Sequence, residues 1–230
     1  MAELALDGSN PDVSLLRDIN NLAKDAPGWF DRTMEFVGEY GLVVLLVLLV
    51  GWCWWRVARR SPEAPAAVAG VLWSGLAAGI ALLLNIPLRG FVERPRPFVD
   101  HDGLDVLIKG KTDFSFVSDH ATLTMAVAVG LFLVSRRVGA VAVVIAVAEG
   151  FCRVYMGVHY PTDVVGGFAL GTAVALLLAP LAMALLTPLV TAVGGSRAGW
   201  LVRRPQGPAV GRPQGEPYPE PTSYDKDLAA

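Results

Sequence analysis

Charge is scarce in this chain. Of its 230 residues only 17% are Asp, Glu, Lys or Arg, and the formal net charge is −2. A global basic field is therefore missing, and no nucleic-acid partner is expected. Cysteine is scarcer still: Cys53 and Cys152 lie in or beside separate apolar runs. They make neither a disulfide framework nor a paired metal-ligand spacing, so no metal ion and no other cofactor is expected. Histidine occurs three times, as His101, His120 and His159. The opening residues MAELALDGSNPD lack a basic stretch leading into an apolar core, so no cleavable signal peptide is expected. Internal repeats are not visible either.

Apolar residues fill the space that charge leaves. They make up 53% of the chain, with a mean hydropathy of +0.49, a balance that suits a membrane-embedded protein better than a soluble globule. Five apolar segments, at about 38–57, 65–88, 120–135, 138–156 and 164–186, approach the length of a span, which is roughly 20 residues. Trp52, Trp54 and Trp55 are placed as an interface belt, and Pro180 is placed to kink the last segment. The expected fold is all-α: a polytopic membrane helix bundle of about five to six transmembrane helices, preceded by N-terminal amphipathic helices.

Those N-terminal helices show in the pattern. Leu15, Leu16, Ile19, Leu22 and Ala23 share one face of a 3.6-residue period, and Pro27 and Gly28 end it. Phe30, Met34 and Val37 form a second stripe. The pair reads either as helices packed on the membrane domain or as an interfacial element that helps admit lipid. Arginines orient the spans. Arg56, Arg59 and Arg60 follow the first, Arg136 and Arg137 join the third to the fourth, and Arg197, Arg203 and Arg204 follow the fifth. With five spans these three places share the cytoplasmic side of a cell membrane. Residues 1–40, with eight acidic and three basic side chains, then fall on the other side. The 89–119 loop and the 157–163 turn meet there, on the extracytoplasmic face. The expected division is 1–37 for the N-terminal helices, 38–193 for the membrane domain and 194–230 for a disordered cytoplasmic tail rich in Pro and Gly.

Three polar stretches interrupt the apolar pattern. CRVYMGVHYPTD, from Cys152 to Asp163, spaces Arg153, His159 and Asp163 as Arg, five residues, His, three residues, Asp. A guanidinium, an imidazole and a carboxylate are the parts needed to hold a phosphate, attack it and orient the attacker. The same residue types also meet at ordinary helix ends. The loop after the second span carries Arg89, Arg94 and Arg96 within eight residues, and arginine's planar fork matches phosphate oxygens bidentately. Snorkelling toward lipid headgroups explains Arg89 or Arg94 equally well. In FSFVSDHAT, Ser118 and Asp119 precede His120 at the start of the third span, where a helix N-terminus offers unpaired N–H groups to an anion. Glu149, four residues before Arg153, faces it on a helix and is expected to position it. His101 reads as a loop residue.

Taken together and in this order, Arg89/Arg96, Ser118/His120 and Arg153/His159/Asp163 resemble the three signature motifs of the type 2 phosphatidic acid phosphatase superfamily. That pattern is Lys-x6-Arg-Pro, then Pro-Ser-Gly-His, then Ser-Arg-x5-His-x3-Asp. The stretches DINNLAKDAPGWFDRTMEFVGEY, ERPRPFVDH, SDHAT and GVHYPTDVVGG extend the likeness to bacterial undecaprenyl-diphosphate phosphatases. The resemblance implies metal-independent removal of the terminal phosphate from a polyprenyl diphosphate at the outer membrane face. It implies His159 as the nucleophile that becomes a phospho-histidine, Asp163 as its orienter, and His120 as the acid that protonates the leaving oxygen and then the base that activates water. Arg89, Arg96, Arg153 and the Ser118–Asp119 region would bind the phosphoryl oxygens, with Cys152 and Glu149 in support. Val117, Cys152 and Asp119 stand where the superfamily pattern has Pro, Ser and Gly, and Arg89 where it has Lys.

The expected partners are the lipid phosphate and the bilayer, with no obligate protein partner evident. Undecaprenyl diphosphate is the first substrate expected, and phosphatidate or phosphatidylglycerophosphate the second, because no residue reads the alcohol portion. Vanadate-dependent haloperoxidases use similar motifs but are soluble, and the apolar segments argue against them. A catalytically silent lipid-phosphate binder is the rival of another class.

Overall fold

A computed structural model describes residues 10–108 and 110–203, and among these every regular element is a helix. Helix α1 (Pro11–Lys24) starts where the Asn10 side chain accepts from the Asp12 N–H, with Pro11 in the first turn. Its buried stripe is Val13, Leu16, Asn20 and Ala23, packed on the domain below. Helix α2 (Gly28–Phe36) buries none of its residues; it runs through a π-turn, Val37–Gly41, into α3 (Leu42–Trp52). Together with further turns to Arg60 this makes one apolar path of 33 residues on the rim of the bundle.

Helix α4 (Ala64–Val92) follows and stops at Glu93, a left-handed residue whose N–H bonds back to the Arg89 carbonyl. A short turn, α5 (Pro97–Asp100), precedes the loop to α6 (Asp119–Val134), and α7 (Arg136–Tyr155), α8 (Pro161–Leu177) and α9 (Ala179–Gly194) complete the fold. Helix α6 is the centre, with α4, α7 and α8 packed around it. Close approach needs small residues: a Cβ on Gly171 of α8 would stand 2.9 Å from the Ala126 N of α6. At the rim, Val47, Leu48, Leu83, Ile86, Val144, Leu177, Leu181 and Leu185 turn apolar side chains outward, as a lipid surround requires.

The five apolar segments thus all appear as helices of an all-α bundle. Among the described residues, three helices are long and apolar enough to cross a membrane, and α8 with α9 makes a fourth if that pair, bent by 53°, counts as one path. The bend falls at Leu178, where Pro180 enters the first turn of α9. Helix α6 has 16 residues, about 24 Å at 1.5 Å per residue. It is short because it is enclosed by its neighbours and presents little surface to lipid. Past the expected boundary at 194, Val202 is buried in the core, and the Trp54 indole donates to the Leu201 carbonyl at 2.9 Å. The rest of the proposed tail, Arg204 included, lies outside the described residues, as do residues 1–9 of the N-terminal segment.

Candidate active site

Polar groups gather where the C-terminal end of α4, the N-terminal ends of α6 and α8, and the C-terminal end of α7 meet. His159 sits in the turn between α7 and α8, only 4% exposed. Its Nε2 lies 3.4 Å from Arg96 Nη1 and its Nδ1 lies 3.6 Å from Asp163 Oδ2. Arginine donates and never accepts, so the Arg96 contact assigns the lone pair to Nε2 and the proton to Nδ1, on the Asp163 side. That is the tautomer in which Nε2 can attack. Burial holds the imidazole below its ordinary pKa; the Asp163 carboxylate opposes this, and the Arg96 and Arg153 charges reinforce it. His159 is therefore neutral at pH 7.

Asp163 is fully buried and is held from several sides. Its Oδ2 accepts from the Tyr160 N–H at 2.9 Å, which closes the first turn of α8, and its Oδ1 accepts from Arg94 Nη1 at 2.9 Å. Arg94 reaches on to Asp12 of α1 at 2.6 Å and lies 3.7 Å over the Tyr160 ring. The sequence left Arg94 divided between headgroup and site; the fold makes it the brace of Asp163. Helix α1 is thereby tied to the site through Asp12, which also accepts from Thr162.

Arg96 is 3% exposed. Besides His159 it donates to the Val158 carbonyl at 2.9 Å and to Asp113 through Nε and Nη2. Arg89 bonds the other Asp113 oxygen at 2.7 Å and Asp119 at 2.5 Å. Asp113 thus spans two of the proposed phosphate cations. Burial alone would raise its pKa, but Arg96 and Arg89 bring it below the usual carboxylate range. Asp119 is held further by Asn85 of α4, whose amide also donates to the Val117 carbonyl. Ser118 is buried, and its hydroxyl accepts from the Ala121 N–H as the cap of α6. His120, next on α6, is within electrostatic reach of Arg153, Glu39, Lys111 and His159.

Arg153 is buried in α7 and gripped on three sides. Nε lies 3.0 Å from Glu149 Oε1, angled as an ion pair more than as a hydrogen bond; Nη1 bonds Glu39 Oε2 at 2.9 Å; Nη2 donates to the Gly38 carbonyl. Glu39 holds Lys111 as well, at 3.5 Å. Cys152 packs beside this cluster, against Gly38, where a Cβ would meet its own Cβ at 2.7 Å. It joins Ala23, Tyr155, Met156 and Val158 in an apolar contact. Cys152→Ser removes no group that holds or attacks the phosphate, so turnover per folded enzyme is expected to stay within about twofold of wild type while the buried hydroxyl costs about 1–3 kcal/mol of stability; a collapse of turnover in a phosphate-release assay, with the fold intact, would place the thiol at the substrate.

The residues of all three sequence motifs therefore lie at one end of the bundle. Asp113, Lys111, Glu39 and Asn85 are also there, and sequence reasoning passed over them. Only Glu39 gave a signal, as a charge at the threshold of an apolar run.

Residues 70–197 match the model of the PAP2 superfamily. The chain belongs to the PAP2 superfamily. It is a membrane lipid phosphatase, and the likeness to bacterial undecaprenyl-diphosphatases read from its motifs is borne out. It is 31% identical over 148 residues to the undecaprenyl-diphosphatase BcrC of Bacillus subtilis, covering 64% of this chain and 72% of that one. Identity to the decaprenylphosphoryl-5-phosphoribose phosphatase of Mycobacterium tuberculosis is 32% over 177 residues, covering 76% of this chain and 90% of that one. The crystal structure of a transmembrane PAP2-type phosphatidylglycerolphosphate phosphatase from Bacillus subtilis superposes with a TM-score of 0.52 at 28% identity. It covers 79% of this chain and 92% of that one.

Proposed function

We propose that the chain hydrolyses a polyprenyl diphosphate, undecaprenyl diphosphate first, to the monophosphate and inorganic phosphate through a phospho-histidine on His159. The observation that carries the chemistry is the placement of His159 between Arg96 and Asp163, which favours the attacking tautomer. Arg96, Arg89 and Arg153 bind the terminal phosphoryl group and offset the charge of its transition state. Nε2 of His159 attacks phosphorus, and the bond from phosphorus to the bridging oxygen breaks. His120 protonates that oxygen as the lipid monophosphate departs. His120 then takes a proton from water; the hydroxide attacks the phospho-histidine, releases phosphate and restores His159. Arginines supply the positive charge throughout, so the reaction needs no metal ion. The names of several relatives support the polyprenyl substrate, and the site opens on the extracytoplasmic side of the cell membrane.

A substrate panel tests this reading. Purified protein in detergent is offered undecaprenyl diphosphate, phosphatidate and phosphatidylglycerophosphate, with and without EDTA, and released phosphate is measured. The polyprenyl diphosphate is expected to be hydrolysed at least about tenfold faster than the glycerolipids, with the rate unchanged by EDTA. Preference for phosphatidylglycerophosphate, the second reading favoured by the superposed structure, would reassign the substrate. Loss in EDTA that Mg²⁺ restores would overturn the metal-free mechanism.

A further inference from the structure

Glu39 belongs to none of the three signature motifs, yet its carboxylate bridges Lys111 and Arg153, one of the cations that the proposed reaction uses. Oε2 lies 2.9 Å from Arg153 Nη1, and Oε1 lies 3.5 Å from Lys111 Nζ. It comes from the π-turn Val37–Gly41 in the first long helix, a local widening often found at functional sites. The residue before it contributes from the same turn: the Gly38 carbonyl accepts from Arg153 Nη2. That approach depends on Gly38 having no side chain, because a Cβ there would stand 2.7 Å from Cys152 Cβ.

The donors of Arg153 make the role specific. A guanidinium has five N–H groups. Glu149 faces Nε, Glu39 takes one N–H of Nη1, and Gly38 takes one of Nη2. One N–H on each terminal nitrogen is left over for phosphoryl oxygens, and both point in a direction set by the other three contacts. Glu149 shares a helix with Arg153, so it cannot by itself fix the fork relative to the remainder of the site. Glu39 can, because it arrives from a different helix and holds the Arg153 fork and the Lys111 ammonium with one rigid carboxylate. Arg153 is 1% exposed and Glu39 21%, so the carboxylate lies on the more exposed side of the clamp.

We propose that Glu39 is a positioning residue of the hydrolytic site, through which the first spanning helix orients Arg153 and Lys111 toward the phosphoryl group. The proposal rests on the reading of Arg153 as a phosphate clamp. It separates from a purely electrostatic effect by sign. An anion beside a bound phosphate repels it, so removing the charge alone would tighten substrate binding. Removing a positioning group instead slows the chemical step, because the fork no longer meets the transition state.

The test is steady-state hydrolysis of farnesyl diphosphate by wild type, Glu39→Gln, Glu39→Ala, Lys111→Ala and the Glu39→Gln/Lys111→Ala double variant, with thermal unfolding of each. Glu39→Gln, which keeps an acceptor, is expected to lower kcat about tenfold, and Glu39→Ala about a hundredfold, with KM within about threefold and unfolding midpoints unmoved. The double variant should lose less than the product of its two single losses, because both act on one arrangement. A Glu39→Gln enzyme with wild-type kcat, a kcat loss that follows a fallen midpoint, or multiplicative losses would each overturn the role. A wild type no faster than His159→Ala would remove the clamp on which the role rests, and with it the proposal. An active wild type paired with an unaffected Glu39→Gln removes the positioning role alone.

Discussion

Alanine at position 159 is expected to reduce phosphate release from a polyprenyl diphosphate by ~10⁴-fold or more, the loss typical of a missing covalent nucleophile. Arg96, Arg153 and Arg89 remain to bind the phosphate, so KM should change far less than kcat. The side chain is buried, and truncation leaves a small void worth about 1–3 kcal/mol of stability, which an unfolding midpoint would register separately. A companion measurement looks for the intermediate itself. Wild type mixed with a ³²P-labelled diphosphate and quenched in alkali should carry label, and that label should leave in acid, as a phosphorus–nitrogen bond does. His120→Ala should carry more label than wild type. His120 aids the first step by protonating the bridging oxygen, but the departing group is a phosphate monoester, whose own second ionisation lies near ~6, so that step loses less than the second. The second step has no such relief, because water must lose a proton to something. Persistence of even ~1% of the wild-type rate in His159→Ala, or an unlabelled His120→Ala, would mean that another group attacks phosphorus.

The sequence was most informative where chemistry and periodicity coincide. Arg96, His120, Arg153, His159 and Asp163 could be found because charged groups in apolar surroundings are conspicuous, and their order carried the family resemblance. Helices α4 and α7 appeared close to their expected bounds, since long apolar runs bounded by Pro, Arg and polar loops leave little freedom. Span counting is coarser, because hydropathy measures distaste for water and not contact with lipid. Helix α6 is as apolar as its neighbours, yet it faces protein on most sides and is too short to cross alone. What sequence could not reveal is pairing across long separations. Asp113 reads as an ordinary loop acid until Arg89 and Arg96 are seen on either side of it. Glu39 lies 114 positions from Arg153, and Asp12 lies 82 from Arg94. Nothing local specifies either partner. Ser118 carries a second role that its motif did not announce: its hydroxyl accepts from the Ala121 N–H as the cap of α6, which leaves its O–H to donate.

Asp163→Asn is expected to lower kcat by ~10³–10⁴-fold, the scale of the same change in a nucleophile–orienter pair, although the other ties of Arg94 survive. Arg94 keeps Asp12 at 2.6 Å and Thr162 at 2.7 Å. The Arg94 guanidinium holds the amide oxygen in the Oδ1 place, which puts the NH₂ in the Oδ2 place, against the Tyr160 N–H and beside His159 Nδ1. What fails is the tautomer. An asparagine NH₂ turned to His159 Nδ1 donates, so Nδ1 becomes the acceptor and the proton moves to Nε2. There it opposes the Arg96 N–H and takes away the lone pair that attacks. The pH profile separates this from a loss of structure. Attack requires neutral His159, so kcat/KM falls as pH drops through its pKa, which burial already holds below the ordinary histidine value. Asp163 is the main influence working in the opposite direction. With its charge removed the pKa falls further, and the residual activity should persist to lower pH than in wild type. Kinetics from pH 4 to 8 with both proteins (~4 and ~8 bracketing the histidine range), alongside their unfolding midpoints, give the answer. A loss under tenfold, or an acid limb that stays in place, would leave Asp163 as the cap of α8 and nothing more.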